Sequence, residues 1–138
     1  MIIDAKNLIL GRLASFAAKQ SLLGKEVNIV NCEEAVVTGN KNYIFEKYKD
    51  KLEKGSMRKG PFFYRRPDRF IKRVVRGMLP YKKENGKKAF KRIRCYVGVP
   101  KELINKKTED LKEMSISKLK ITKYVKLKDL CRQLGARI

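Results

Sequence analysis

The residues of this sequence with the greatest chemical potential are cations and aromatic rings that lie close together after Met57. The segment Met57-Arg58-Lys59-Gly60-Pro61-Phe62-Phe63-Tyr64-Arg65-Arg66-Pro67 interleaves basic residues with three consecutive aromatic residues. Basic side chains bind phosphate, and aromatic rings stack on unpaired bases at about 1–3 kcal/mol per base. The candidate phosphate-binding residues of this loop are therefore Arg58, Lys59, Arg65 and Arg66. The candidate stacking residues are Phe62, Phe63 and Tyr64, of which we expect at least one to turn towards the core.

A second group of cations lies on one face of a predicted helix over residues 67–78. At about 100° per residue, the apolar residues fall in one arc, which contains Phe70, Ile71, Val74, Val75 and Met78. The basic residues fall in the opposite arc, which contains Arg69, Lys72, Arg73 and Arg76. A solvated helix face usually mixes both signs of charge, which limits repulsion, whereas this face is purely positive. We expect the apolar face to pack on the domain and the basic face to bind phosphate.

A third group of cations follows Pro80, in a segment whose composition predicts a flexible turn. The candidate phosphate-binding residues here are Lys82, Lys83, Lys87 and Lys88, which surround Gly86. Lysine neutralises phosphate without geometric selectivity, so these residues are expected to position the protein rather than to distinguish bases.

The net charge of the chain, +21 over 138 residues, is concentrated in residues 58–94. That segment carries 15 basic and 2 acidic residues, whereas residues 1–57 carry 9 and 7 and residues 95–138 carry 11 and 5. A compact protein of this charge repels itself unless anions surround it. A polyphosphate backbone supplies that many charges, and a small-molecule substrate does not. Since eight of the eleven Arg lie in residues 58–94, RNA is the expected partner.

Sets of residues suited to catalysis or metal binding are missing from the sequence. There is no His, the usual general base and the commonest metal ligand. Cys32, Cys95 and Cys131 are far apart and form no Cys-x-x-Cys pair of the kind that zinc sites use. We predict no catalytic residue, no metal and no cofactor, with the cysteines as free thiols in the core. Short apolar runs and the start of the chain predict no membrane span and no signal peptide, and hence a cytoplasmic protein.

The elements expected to hold these residues indicate an α/β fold with a small, mainly parallel sheet. A strand at Ile2-Ile3, a helix from Leu10 to Leu23 ended by Gly24 and a strand over residues 25–32 predict a βαβ unit with parallel strands. The further elements are a strand or turn at 35–39, a helix from Asn40 to about residue 53, a loop at 55–66, helices at 67–78 and 87–92, a strand at 94–97, an irregular or helical stretch at 100–114 and a helix at 127–134 before Gly135. We expect one domain over residues 1–138, with 106–138 as a C-terminal extension that packs on the domain or on a partner.

Several motifs resemble the universal large-subunit ribosomal protein family thirteen. They are Leu10-Gly11-Arg12-Leu13-Ala14-Ser15, Val37-Thr38-Gly39-Asn40, Gly60-Pro61 and, most specifically, Val75-Arg76-Gly77-Met78-Leu79-Pro80 followed by Gly86. The spacing agrees from residue 2 to about residue 105 and again over 123–135, while residues 106–122 depart from the family pattern. Asn31-Cys32-Glu33-Glu34 and the compact N-terminus resemble the archaeal and eukaryotic branch of the family. The lack of the long C-terminal extension of the eukaryotic proteins favours an archaeal source.

This resemblance implies a three-layer α/β/α domain on a four-stranded parallel sheet. It also implies a structural role in the large ribosomal subunit, where the protein would bind large-subunit rRNA beside neighbouring ribosomal proteins and enter early in assembly.

Two other functions stay open on the residues alone. One is an RNA-binding regulator of translation that acts off the ribosome. The other is an RNA-modifying or nucleotide-dependent enzyme, suggested by Gly11 after the first strand. A dinucleotide-binding turn requires three spaced glycines and a suitably placed acidic residue, and this turn contains Gly11 alone.

Overall fold

The computed structural model describes residues 1–120 and 122–138 and confirms the α/β class. Its strands are β1 (Ile2–Asp4), β2 (Val27–Val30), β3 (Val36–Thr38), β4 (Ile93–Cys95) and β5 (Tyr124–Lys126). Its helices are α1 (Leu10–Leu22), α2 (Lys41–Glu53), α3 (Pro67–Met78), α4 (Glu84–Lys91) and α5 (Leu127–Gln133). Short 3₁₀ turns lie at Cys32–Glu34, Lys101–Leu103, Lys112–Met114 and Ile116–Lys118, so the stretch after Pro100 is irregular. No helix in these ranges is long and apolar enough to cross a membrane.

The main sheet is parallel, as the βαβ pattern predicts, but it has three strands in the order β1-β2-β4 where four were expected. Ile3 is paired with Ile29, and Ile29 is paired with Cys95. Strand β3 pairs antiparallel with β5, with Val37 opposite Val125. A parallel crossover needs a dozen or more residues, and only the 3₁₀ turn and its flanking residues separate β2 from β3. The third strand therefore takes its partner from the C-terminal part of the chain.

Helix ends follow the local signals in the sequence. Asn40 precedes α2, and its side-chain oxygen accepts a hydrogen bond of 3.0 Å from the backbone N–H of Asn42. Gly24 and Gly135 follow α1 and α5 with φ of +92° and +91°, values that glycine adopts without steric cost. Pro67 occupies the first turn of α3, where its missing N–H costs nothing.

Helix α4 begins three residues earlier than predicted, at Glu84. The prediction of a flexible turn over residues 81–88 is therefore wrong for its second half. The physical reason is a close backbone contact: Gly86 is buried, and a Cβ at this position would lie 2.1 Å from the carbonyl oxygen of Pro80. Glycine lets α4 pack directly on the end of the preceding segment, which holds Lys82 and Lys83 in a short turn.

The core lies between the main sheet and the buried faces of α1, α3 and α5. Helix α1 packs against α3 and α4, and α5 packs against α3 and the first 3₁₀ turn. The largest side chains with less than 2% exposure are Phe70, Ile3, Leu13, Ile29, Ile71, Ile93, Leu127 and Leu130. These contacts give α3 a rigid support from which its other face points outwards.

The segment after residue 106 runs along β1 and the start of α1. The backbone N–H of Glu109 donates to the carbonyl oxygen of Ile2 at 2.8 Å, and that of Ile116 donates to Asn7 at 3.0 Å. Farther along the chain, Leu127 and Leu130 of α5 are fully buried. The C-terminal residues thus supply both backbone hydrogen bonds and core side chains to the rest of the fold.

Candidate nucleic-acid interface

Helix α3 has the two faces that its periodicity predicts, with one difference. Phe70, Ile71 and Val75 are at most 1% exposed, and Val74 is partly buried against the same core. The prediction that Met78 packs inwards is wrong, because it is 44% exposed. Met78 is the last residue of α3 and extends past the core. The next residue, Leu79, is buried instead.

The basic face of α3 lines an open groove of about 260 Å³, here called the α3 groove. Its lining residues are Arg69, Lys72, Arg73 and Arg76, together with the rings of Tyr64 and Phe90. The structure therefore brings together all four cations that the helical spacing placed on this face. Their side chains share one concave surface, which suits an extended anion better than a point charge.

Aromatic rings support the cations of the α3 groove. The guanidinium carbon of Arg69 lies 5.5 Å from the ring centre of Tyr64, and the Nζ atom of Lys72 lies 5.1 Å from that of Phe90. A cation over an aromatic face is attracted to it without losing its charge. Within the described residues, none of the four cations forms an ion pair with a carboxylate. The groove is thus held in place and left positive.

The three consecutive aromatic residues before α3 divide between the core and the surface. The ring of Phe63 lies 5.8 Å from that of Tyr48 and 5.6 Å from that of Phe70, so it anchors the loop. Phe62 and Tyr64 are 66% and 46% exposed. The expectation of at least one inward ring is confirmed, and Phe63 is not accessible in the way that base stacking requires. Phe62 and Tyr64 remain the stacking candidates.

Two of the predicted phosphate-binding cations have acidic partners. The Nε atom of Arg66 donates to Asp68 at 3.2 Å, and the Nζ atom of Lys88 lies 2.9 Å from a carboxylate oxygen of Glu84. These pairs reduce the positive charge that either cation offers to an anion. The sequence pattern did not show this, because it counted charges without their partners.

The remaining predicted cations lie outside the α3 groove. The guanidinium of Arg65 lies against Gly135, with its Nη1 atom 3.2 Å from where a Cβ would stand. A narrow turn closed by hydrogen bonds between residues 56 and 60 carries Arg58 and Lys59, both exposed. The turn before α4 and its first residues carry three more exposed cations, namely Lys82, Lys83 and Lys87.

The sequence analysis missed two cations beside the aromatic loop, Lys51 in the last turn of α2 and Lys54 directly after that helix. They line a second concave site of about 200 Å³, here called the α2 pocket, whose other lining residues are Pro61, Phe62, Phe63 and Arg73. Partial burial lowers the pKa of Lys51, and the neighbouring cations Lys47, Arg73 and Lys54 lower it further. The spacing of the lysines at 47, 51 and 54 could have identified these cations from the sequence, because it places them on one side of a helix.

The cysteines are free thiols, as predicted, and Cys32 and Cys131 are buried. The prediction of a core position is wrong for Cys95, which is only partly buried against the core. Although distant in sequence, Cys32 and Cys95 are neighbours, because the turn after β2 lies beside the end of β4. A hydrogen bond with Cys95 and burial raise the pKa of the Cys32 thiol. Burial, with a smaller effect of Asp68, raises the pKa of Cys131 to about 12. No group of three His, Cys, Asp or Glu residues that could hold a metal ion occurs in residues 1–120 and 122–138.

An α/β domain with a cationic groove beside exposed aromatic rings has the features of a nucleic-acid-binding protein. Comparison with known families gives a match over residues 1–102 to the family described as ribosomal protein L13. The chain belongs to this family, in agreement with the motifs around Gly11 and Gly77.

Relatives of the chain extend the similarity over nearly its whole length. A protein named large ribosomal subunit protein uL13 from Methanocaldococcus jannaschii is 49% identical over 99% of this chain and 98% of its own length. Proteins of the same name from Archaeoglobus fulgidus and Methanococcoides burtonii are each 47% identical over 99% of this chain and over 88% and 98% of their own lengths. All three are archaeal, which confirms the branch that the sequence indicated.

Proposed function

We propose that this protein is a structural constituent of the large ribosomal subunit, which binds and stabilises large-subunit rRNA in the cytoplasm and catalyses no reaction. The observation that carries the proposal is the α3 groove, in which Arg69, Lys72, Arg73 and Arg76 share one surface without a carboxylate partner among the described residues. Membership of the L13 family supports it, since the relatives are named as large ribosomal subunit proteins.

The α3 groove binds RNA through its phosphates. Arginine offers a planar fork of donors that fits two phosphate oxygens, and each neutralised phosphate releases condensed counterions. The groove therefore positions the rRNA, and the exposed lysines Lys82, Lys83 and Lys87 extend the contact beyond the helix. Because the apolar face of α3 is rigidly packed, the free protein already holds the cations in place, which lowers the conformational entropy lost on binding.

The chain acts as one domain over residues 1–138, and its C-terminal extension completes that domain rather than forming a separate unit. The hydrogen bonds of Glu109 and Ile116 to the first residues of the chain support this, as does the burial of Leu127 and Leu130. Neighbouring ribosomal proteins are the further partners of the subunit-bound protein. Entry at an early step of subunit assembly stays a prediction from the family resemblance.

Competitive incorporation into ribosomes tests the role of the α3 groove. A full-length variant with Arg69→Glu, Lys72→Glu and Arg76→Glu is expressed beside the tagged wild type, and large subunits are separated on a sucrose gradient. The control carries Lys101→Glu, Lys106→Glu and Lys107→Glu, three exposed cations outside the groove with the same change in charge. We expect the groove variant to be depleted from large subunits by about tenfold or more relative to the control.

Two results would contradict the proposal. Equal incorporation of both variants would show that the α3 groove does not bind rRNA. A wild-type protein that sediments apart from large subunits would instead support the regulator that acts off the ribosome. Thermal unfolding of both free variants checks that neither change disrupts the fold.

The salt dependence of binding tests the contribution of the turn before α4 and of Lys87 near the start of that helix. Each lost phosphate contact lowers the slope of log affinity against log salt by about 0.9 on a duplex. Replacing Lys82, Lys83 and Lys87 by Gln should therefore flatten the slope measured with large-subunit rRNA. As a matched pair of single changes, Lys88→Gln should have a smaller effect than Lys87→Gln, since Lys88 is paired with Glu84. An unchanged slope for the triple variant would mean that the turn points away from RNA.

A further inference from the structure

We propose that the α2 pocket binds a single unpaired nucleotide of RNA, with its phosphate on Lys51 and Lys54 and its base stacked on Phe62. The proposal rests on the proposed rRNA binding and adds a second, distinct site to it. The pocket is separate from the α3 groove, but Arg73 lines both.

The charge of the α2 pocket calls for an anion. Lys51, Lys54 and Arg73 converge on it, and in the described part of the chain none of them has an ion-pair partner. On the same helix, Lys49 lies 3.8 Å from Glu53, so the nearby carboxylate is directed to another cation. Three convergent cations repel one another, and a bound phosphate relieves that repulsion.

Aromatic rings form the apolar wall of the pocket and hold two of the cations. The Nζ atom of Lys51 lies 4.9 Å from the ring centre of Tyr48 and 5.9 Å from that of Phe63. The guanidinium carbon of Arg73 lies 4.7 Å from the ring centre of Phe63. The pocket therefore combines fixed positive charge with an apolar surface. A nucleotide is complementary to this combination, because its phosphate is negative and the faces of its base are apolar.

Phe62 is an exposed ring on a constrained backbone. The residue is 66% exposed, while its carbonyl oxygen accepts a hydrogen bond of 3.3 Å from the Nη1 atom of Arg73. A Cβ at Gly60 would lie 3.1 Å from a ring atom of Phe62, so the glycine leaves room for the ring in this position. Because the loop is already held, stacking a base on Phe62 costs little further ordering.

The size of the pocket and its position both favour one nucleotide as the occupant. Its volume of about 200 Å³ is below the roughly 300–1,000 Å³ of sites that enclose a drug-sized ligand. The pocket therefore has room for the phosphate of one nucleotide, while the base lies outside it on the exposed ring of Phe62. Arg73 joins it to the α3 groove, so a strand bound along the groove can place one unpaired base against Phe62. RNA proteins commonly read single-stranded loops and bulges in this way, by stacking splayed bases on aromatic rings.

Binding of single-stranded RNA tests the proposal directly. The probe is a fluorescently labelled oligouridylate that contains 4-thiouridine, titrated with the full-length protein. We expect Phe62→Ala to weaken binding by about tenfold, within the range measured for stacking residues. The control is Tyr43→Ala, which removes an aromatic ring of similar exposure from α2, 63% against 66%, without touching the pocket. Photocrosslinking of the wild type should map to the peptide that contains Phe62.

A second comparison on one helix tests the phosphate contact. Lys51→Gln should lower the slope of log affinity against log salt by about 0.7, the value for one contact with a single strand. Lys49→Gln makes the same change of charge two residues away and should leave the slope unaltered.

The outcomes separate this proposal from the proposed function. If Phe62→Ala and Lys51→Gln bind RNA like the wild type while the α3 groove variant does not, the pocket proposal fails and rRNA binding stands. If the groove variant also binds normally, both fail. If Phe62→Ala binds RNA normally but is lost from large subunits, the occupant is a protein and the pocket proposal is overturned.

Discussion

The contact between α4 and Pro80 predicts opposite effects for one substitution at two helical glycines. Gly86→Ala places a Cβ 2.1 Å from the carbonyl oxygen of Pro80 and 2.9 Å from the backbone nitrogen of Tyr81. Since side-chain carbons do not approach other atoms within 3.0 Å, the two segments must separate by at least 0.9 Å. Gly77→Ala in α3 is the matched control, because a Cβ there has no atom of the described residues within 4 Å apart from the neighbouring backbone of its own helix.

The expected magnitudes follow from the two environments. Overpacking costs about 1–3 kcal/mol, and the clash at Gly86 is with backbone that cannot rotate away, so the upper end applies. Replacing glycine in a helix returns about 0.5–1 kcal/mol, which leaves Gly86→Ala less stable by about 2 kcal/mol. Gly77→Ala causes no clash, so it should raise the free energy of unfolding by about the same 0.5–1 kcal/mol that alanine adds in a helix. With an unfolding entropy of about 2.1 cal/mol/K per residue, the temperature midpoint of unfolding should fall by about 7 °C for Gly86→Ala and rise by about 2–3 °C for Gly77→Ala.

Thermal unfolding of the free full-length proteins, followed by circular dichroism at constant ionic strength, measures both shifts. Urea titration provides an independent free energy of unfolding for each variant. Shifts of the same sign would refute the close packing of α4 on Pro80. The turn that holds Lys82 and Lys83 would then have to be placed differently relative to α3.

Three further predictions concern the core, a surface ion pair and a buried thiol. Val75→Ala should lower the free energy of unfolding by about 1–3 kcal/mol, whereas Met78→Ala should change it by less than about 0.5 kcal/mol. Denaturant titration measures both free energies, and equal losses would contradict the orientation of α3. The hydrogen bond from Lys126, at 2.6 Å, lowers the pKa of Glu34 below its ordinary value of 4.5. This pair therefore stabilises the fold above pH 4.5, and its contribution is lost as the pH falls through the lowered pKa. Unfolding of the wild type and of Glu34→Gln should therefore differ at neutral pH and converge in acid, and a constant difference would argue against the pair. Because burial raises the pKa of Cys131 to about 12, this thiol should react with a disulfide reagent at mild alkaline pH only after unfolding, as a Cys131→Ser comparison would show.

Much of the fold was predictable because its signals are local. Gly24 and Asn40 mark helix ends through their own backbone and side-chain preferences, which depend on a few neighbouring residues. The α3 helix was predicted with its bounds and with most of its buried face for the same reason. The exposure of Met78 was not predicted, because the helical repeat gives the direction of a side chain but not where the core beneath the helix ends.

The candidate site was predictable in part. The four cations of α3 share a groove because the helical repeat places them on one side. Whether a cation is free depends on distant or newly adjacent carboxylates, and this is why the pairing of Arg66 and Lys88 was missed. Lys51 and Lys54 were missed for a related reason, since they reach Phe62 only through the packing of α2 against the loop before α3.

The sequence by itself determined the sign and concentration of the charge, the polyanionic class of partner, the family and the two faces of α3. These properties follow from composition and from repeats of a few residues. Only the tertiary structure decided that β3 pairs with β5, that Gly86 lies against Pro80 and that the α2 pocket exists. Each of these depends on the packing of separate segments against one another, and that packing is chosen by the free energy of the whole core rather than by any local pattern.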